Sequence, residues 1–145
     1  MRTVVAAVIQ RDSRILICQR RRDKALPLKW EFPGGKADAG EPLESELARE
    51  LWEELGADCR VGTEIYRTTY QYAGREPIEL VFFAAELVAE TALDLNSAAI
   101  HAAFQEALWV EPGELPSYDF LEANAELIAR LAAEHLPTAR AKSAR

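Results

Sequence analysis

Apolar residues recur along this chain with two different periods, and each change of period marks an element. Thr3–Gln10 (TVVAAVIQ) and Ile15–Gln19 (ILICQ) are apolar runs on either side of the polar turn Arg11-Asp12-Ser13-Arg14, which predicts a hairpin. Trp30-Glu31-Phe32 is a further short extended stretch that stops at Pro33-Gly34-Gly35. Glu64–Ala73 and Glu79–Leu87 flank Gly74-Arg75-Glu76-Pro77 and predict a second hairpin; Ala107–Val110 is a last short strand. Two segments instead show helical spacing. In Pro42–Leu55 the stripe is Leu43, Leu47, Leu51 and Leu55. In Asp119–Leu136 it is Leu121, Ala125, Ile128, Leu131 and Ala132, ended by Pro137. Thr91–Phe104 fits neither period and is expected to be a loop with a helical turn. Hairpins interleaved with helices predict an α+β chain, an α/β/α sandwich around a mixed sheet. One domain is expected over residues 1–137, followed by a small basic tail at 138–145, a frayed terminus.

Composition narrows the function classes. The chain has 145 residues, of which 49% are hydrophobic and 28% charged, enough for a core and too polar for a bilayer span. The first apolar run is followed at once by charge and carries no cleavage-site pattern, so it reads as a strand rather than a signal peptide. The formal charge is -7, from 17 Lys+Arg against 24 Asp+Glu, which argues against duplex nucleic acid as a partner. An acidic protein that handles anionic ligands needs local cations or bound metal. The two cysteines, Cys18 and Cys59, form no CxxC and are expected to be reduced thiols in a cytoplasmic protein.

The densest chemistry lies in Pro42–Gly56, PLESELARELWEELG. Pro42 suits the first helical position with Glu41 as the cap before it, and Gly56 suits the left-handed residue past the last turn. At about 100° per residue, Glu46, Glu50, Glu53 and Glu54 share one sector beside the leucine stripe. Like charges at i,i+3 and i,i+4 destabilise a helix by about 0.2–0.5 kcal/mol each. Arg49 offsets part of that charge, and the remaining hard oxygens suit Mg²⁺ or Mn²⁺. A solvated acidic face would have the same composition, and Gly34-Gly35 alone could be an ordinary tight turn. On these residues both readings stay open.

The spacing closes the matter further. Gly35, five residues, Glu41, seven residues, then Arg49-Glu50-Leu51-Trp52-Glu53-Glu54-Leu55-Gly56-Ala57 matches the Nudix box, G-x5-E-x7-R-E-U-x-E-E-x-G-U with U bulky and apolar. The small Ala57 is the only departure. The chain therefore resembles the Nudix hydrolases, and the leader Glu31-Phe32-Pro33-Gly34-Gly35-Lys36 resembles their MutT-like branch.

That resemblance implies Mg²⁺- or Mn²⁺-dependent hydrolysis of a nucleoside diphosphate linked to another group. A nucleoside triphosphate, 8-oxo-dGTP among the candidates, would yield the monophosphate plus pyrophosphate. Metal neutralises phosphate oxygens and activates water in such reactions. By position, Glu50, Glu53 and Glu54 with the Gly34 carbonyl are the expected ligands, Glu53 the expected base, Arg49 the residue that positions the glutamates, and Glu41 a support for Arg49 or the loop. Arg20, Glu31, Phe32, Gly35, Lys36 and Asn124 are the expected substrate contacts. Asn124 follows Ala123 as in MutT-like members, where such an Asn reads the base; Asp119 is a second candidate for that role. Tyr70, Tyr72, Phe82 and Phe83 could stack on a base or fill the core. A further metal-binding Glu found in many relatives falls at Ala103 here, with Glu106 and His101 as nearby substitutes. Pyrimidine triphosphates, dinucleoside polyphosphates and nucleotide sugars are the rival substrates, and a ligand-sensing module the non-enzyme rival. The expected partner is a small nucleotide, with no membrane, from a monomer or homodimer.

Overall fold

A computed structural model describes residues 1–38, 40–88 and 93–133. The first hairpin forms as expected. Strand β1 (Arg2–Arg11) turns through Asp12, at a φ of 56°, into β2 (Arg14–Gln19). Strand β3 (Trp30–Glu31) joins β2, and β4 (Gly34–Lys36) lies antiparallel on β1, so the predicted Gly-Gly turn is a strand. Helix α1 (Leu43–Leu55) follows. The second hairpin is β5 (Cys59–Tyr70) with β6 (Ile78–Leu87). Its first strand starts five residues earlier than expected, bulging between Val61 and Tyr66 to keep pairing past Gly62. Helix α2 (Ala98–Ala103) fills the segment that lacked a period, its start marked by the Ser97 hydroxyl accepting from the Ile100 N–H. Strand β7 (Glu106–Val110) pairs with β2.

The sheet is mixed, in the order β3-β2-β1-β6-β5, with β1 and β6 parallel. Both of its faces are covered. Alternate residues of β1 enter different cores: Val5, Ala7 and Ile9 pack with Leu47, Leu51 and Ile100 of α1 and α2. Ala6 and Val8 pack with Leu127 and Ile128 on the other side. Burial on both faces explains why the strands read as continuous apolar runs. The result is the expected α/β/α layering.

Two helix boundaries differ from expectation. Helix α1 is preceded by Pro42 as its cap residue, not Glu41, with no side-chain cap; Gly56 closes it at a φ of 67°. The last helical region opens with a 3-10 turn, Glu122–Asn124, and is helical over 125–133. Its inner face is Ala123, Asn124, Leu127 and Ile128, whereas Ala125 points outward. Residues from 134 onward, with Pro137 and the tail at 138–145, lie outside the described residues. Among those described, no helix is long and apolar enough to cross a membrane, and Cys18 and Cys59 are free.

Candidate active site

The site is built on the contact between β4 and β1. Gly34 pairs with Ala6 so closely that a Cβ on it would lie 1.9 Å from the Val5 carbonyl oxygen. Glycine is required there for backbone approach. At Gly35 a Cβ would meet the Glu50 carboxyl carbon at 2.6 Å, so the missing side chain leaves room for that carboxylate. One turn on, the Gly34 N–H donates to Glu54 Oε1 at 3.1 Å. Strand β4 and helix α1 thus hold two carboxylates against one stretch of glycine backbone.

These carboxylates are electrostatically uncomfortable. Burial, then the charges of Glu31 and Glu50, push Glu54 up to about 8. Burial, then Glu53, raises Glu50. Burial raises Glu31 as well, opposed by Arg20, whose Nη1 donates to Glu31 Oε1 at 3.1 Å. A cation among Glu31, Glu50 and Glu54 would relieve all three.

Most of the residues singled out in the sequence share one cavity of about 850 Å³. Glu50, Glu54, Gly34, Gly35 and Lys36 line it, as do Arg20, Glu31, Phe32 and Asn124. Arg20 Nε also donates to the Ala25 carbonyl at 2.8 Å. Asn124 is 2% exposed and lines the cavity. Tyr72 and Phe82 also contribute to the wall. The Tyr72 hydroxyl accepts from the Ala123 N–H at 3.1 Å, and Phe82 packs edge-on to Phe32 at 6.1 Å.

Other candidates stand elsewhere. Glu53 is outside the cavity wall; its side chain is 58% exposed and lies 3.8 Å from Arg49 Nε. Arg49 and Glu41 are also off the wall, 3.5 Å apart. Asp119 is exposed and salt-bridged to Lys29 at 2.9 Å, so it does not reach the cavity. Phe83 belongs to the opposite core, and Tyr70 donates to Glu122 at 2.6 Å away from the wall. Ala103 does line the cavity, while the possible substitutes Glu106 and His101 are exposed and do not. Sequence reasoning missed Leu26, Leu121 and Arg75, which the structure adds to the wall. Leu26 takes a φ of 52°, and the Ala25-Leu26-Pro27-Leu28 stretch carries no local signal for it.

As the side chains are placed, no three His, Cys, Asp or Glu residues among those described converge on one point. The donor chemistry nevertheless suits a hard divalent cation, because Glu50 and Glu54 are desolvated carboxylates on a glycine-lined wall.

Comparisons with known proteins agree with this architecture. The NUDIX domain model matches residues 1–131. Nucleoside triphosphatase NudI of Escherichia coli is 30% identical over 127 residues, covering 81% of this chain and 87% of that protein. The solution structure of the E. coli ORF135 protein superposes with a TM-score of 0.71 at 32% identity, over 92% of this chain and 93% of that one. The MutT NUDIX hydrolase of Burkholderia pseudomallei superposes with a TM-score of 0.73 at 25% identity, over 88% and 95%. With the box glutamates, the glycine strand and a family match over nine-tenths of its length, the chain belongs to the Nudix hydrolases, enzymes of nucleoside phosphoanhydrides.

Proposed function

We propose that this Nudix hydrolase cleaves a nucleoside triphosphate to the monophosphate and pyrophosphate, with Mg²⁺ or Mn²⁺ as its cofactor. The observation that carries the reading is a single cavity lined by the carboxylate residues Glu50 and Glu54, by Arg20 and by the buried Asn124. The first pair suits the metal-bound phosphates, and the amide suits a base edge. The related NudI is named as a nucleoside triphosphatase, which supports the same substrate class.

Glu50, Glu54 and the Gly34 carbonyl would hold the metal, with Glu53 completing the set from the rim. When bound, the ion neutralises phosphate oxygens and lowers the pKa of water. The protein's own groups do the rest. Arg20 spends Nε and Nη1 on Ala25 and Glu31 and turns its remaining edge to the phosphates. Lys36, exposed on the wall, adds a mobile positive charge. Phe32 and Tyr72 give the base an apolar wall. Glu53, beside Arg49, takes the proton of the attacking water. Asn124 donates and accepts together, so it can pair with a purine edge, an oxidised guanine included.

The test is a panel of nucleotides with Mg²⁺: the common ribo- and deoxyribonucleoside triphosphates, 8-oxo-dGTP, dinucleoside polyphosphates and nucleotide sugars. Pyrophosphate released from at least one triphosphate is expected, and none should appear in EDTA. Absence of turnover on every triphosphate would reject the substrate class. Asn124→Ala is expected to raise KM for the preferred nucleotide about 5–150-fold, since an unmade buried hydrogen bond costs about 1–3 kcal/mol. The kcat should change far less. An unchanged KM would remove Asn124 from base recognition.

A further inference from the structure

The geometry points to Glu46 as a positioning residue, a buried anchor that fixes the Arg49 guanidinium and through it the Glu53 end of the acidic helix face. The inference rests on the hydrolytic reading above. Glu46 lies in the seven-residue stretch of the box where the motif specifies nothing. Its side chain is nevertheless 0% exposed, and Glu46 and Asn124 are the two buried polar side chains among the described residues. Glu46 Oε2 accepts from Arg49 Nη2 at 2.6 Å, and the Glu41 carboxyl also lies against the Glu46 carboxylate, holding Glu46 low and Glu41 high.

Three edges of the Arg49 guanidinium face carboxylates. Nη1 is 3.5 Å from Glu41, Nη2 is 2.6 Å from Glu46, and Nε is 3.8 Å from Glu53. Asp38 lies at 3.8 Å from Nη2 as well. All of these partners except Glu46 are well exposed. Exposed pairs contribute little and do not hold a long side chain in one geometry. The short contact to a fully buried side chain does. A buried carboxylate is a poor means of stabilising a helix, because desolvation offsets its attraction and a small apolar residue would pack there at less cost. Its use is orientation. With Nη2 fixed at Glu46, one turn before, Nε is aimed at Glu53, one turn after, along the same helix face. Without the anchor, Arg49 can swing to any of its exposed partners, and Glu53 loses the cation that sets its direction.

Three variants, Glu46→Gln, Arg49→Lys and the double substitution, test this with two readouts. The first is NMR of the Arg49 side chain. The wild-type Nη groups are expected to give separate, slowly rotating signals, and Glu46→Gln should average them. The second is turnover of the triphosphate found active in the panel. Glu46→Gln should lower kcat about 10–100-fold, the scale of lost outer-shell support, with KM within about twofold. The double variant should be no slower than Arg49→Lys alone, because one acts through the other. A kcat for Glu46→Gln within about twofold of wild type, or losses that multiply in the double variant, overturns the inference. If the wild type turns over no triphosphate, the hydrolytic reading fails separately, and unchanged Arg49 signals in Glu46→Gln still reject the anchor. Should Glu46→Gln not fold, freely rotating Arg49 Nη groups in the wild type reject it too.

Discussion

Glu54→Gln is expected to cost at least about a hundredfold in kcat while leaving the fold as stable as the wild type or more so. Both effects have one cause. The Glu54 carboxyl is mostly buried, beside Glu31 and Glu50, and these surroundings push it up to about 8. Its ordinary value is 4.5. Between those values the folded protein binds more protons than the unfolded chain, so stability falls as pH rises. A glutamine removes that penalty and keeps an oxygen for the Gly34 N–H that Glu54 now accepts at 3.1 Å. It also removes a hard anionic oxygen from the proposed metal site, and charge stabilisation by a bound divalent ion is worth several kcal/mol in the transition state. At about 1.36 kcal/mol per tenfold, losing even part of it reaches the expected figure. Two measurements decide the matter. Thermal unfolding in EDTA should show the wild-type Tm falling from about pH 5 to pH 8 relative to the variant. Hydrolysis at saturating Mg²⁺ should show the loss in kcat. A variant that unfolds earlier at every pH, or that keeps more than about a tenth of the wild-type kcat, contradicts the assignment.

The box helix was legible because its information is local. Leu47, Leu51 and Leu55 are fully buried where the 3.6-residue period places them, and Gly56 takes the left-handed turn. Arg20, Glu31, Lys36, Glu50, Glu54 and Asn124 line one cavity, a grouping that the family resemblance, and no local period, brought together. What escaped depended on partners far away in the chain. Gly34–Lys36 reads as a turn because glycines carry no side-chain period, yet its pairing with Val4–Ala6 makes it a strand. Asp119 looks available until Lys29, 90 positions earlier, is found on it. Glu46 belongs to the acidic sector on a helical wheel, and the wheel cannot tell which member of that sector is buried. Leu26 enters the cavity wall through a loop strapped by the Arg20–Ala25 bond, which no local pattern announces.

The two adjacent glycines separate fold from chemistry most sharply. Gly34→Ala is expected to destabilise the protein by more than about 3 kcal/mol, because the new methyl falls on immovable backbone. It would sit 1.9 Å from the Val5 oxygen and 2.7 Å from the Ala6 Cα, and only parting β4 from β1 makes room. A Tm lower by about 10 °C follows for a chain of this size. Gly35→Ala puts its methyl 2.6 Å from the Glu50 carboxyl carbon and 2.7 Å from Oε2, which is the far end of a flexible side chain. Glu50 can rotate away, so the Tm should move by no more than about 3 °C. The rotation takes a proposed ligand off the wall, and displacing a catalytic group by an ångström costs about a hundredfold. Neither glycine has a positive φ, so what the added methyl meets, backbone or side-chain end, alone distinguishes the two substitutions. Thermal melts and kcat on the two purified variants check the contrast. An inactive but unfolded Gly35→Ala, or a Gly34→Ala that melts like the wild type, would show that the β4 backbone and the Glu50 carboxylate do not divide stability and catalysis in this way.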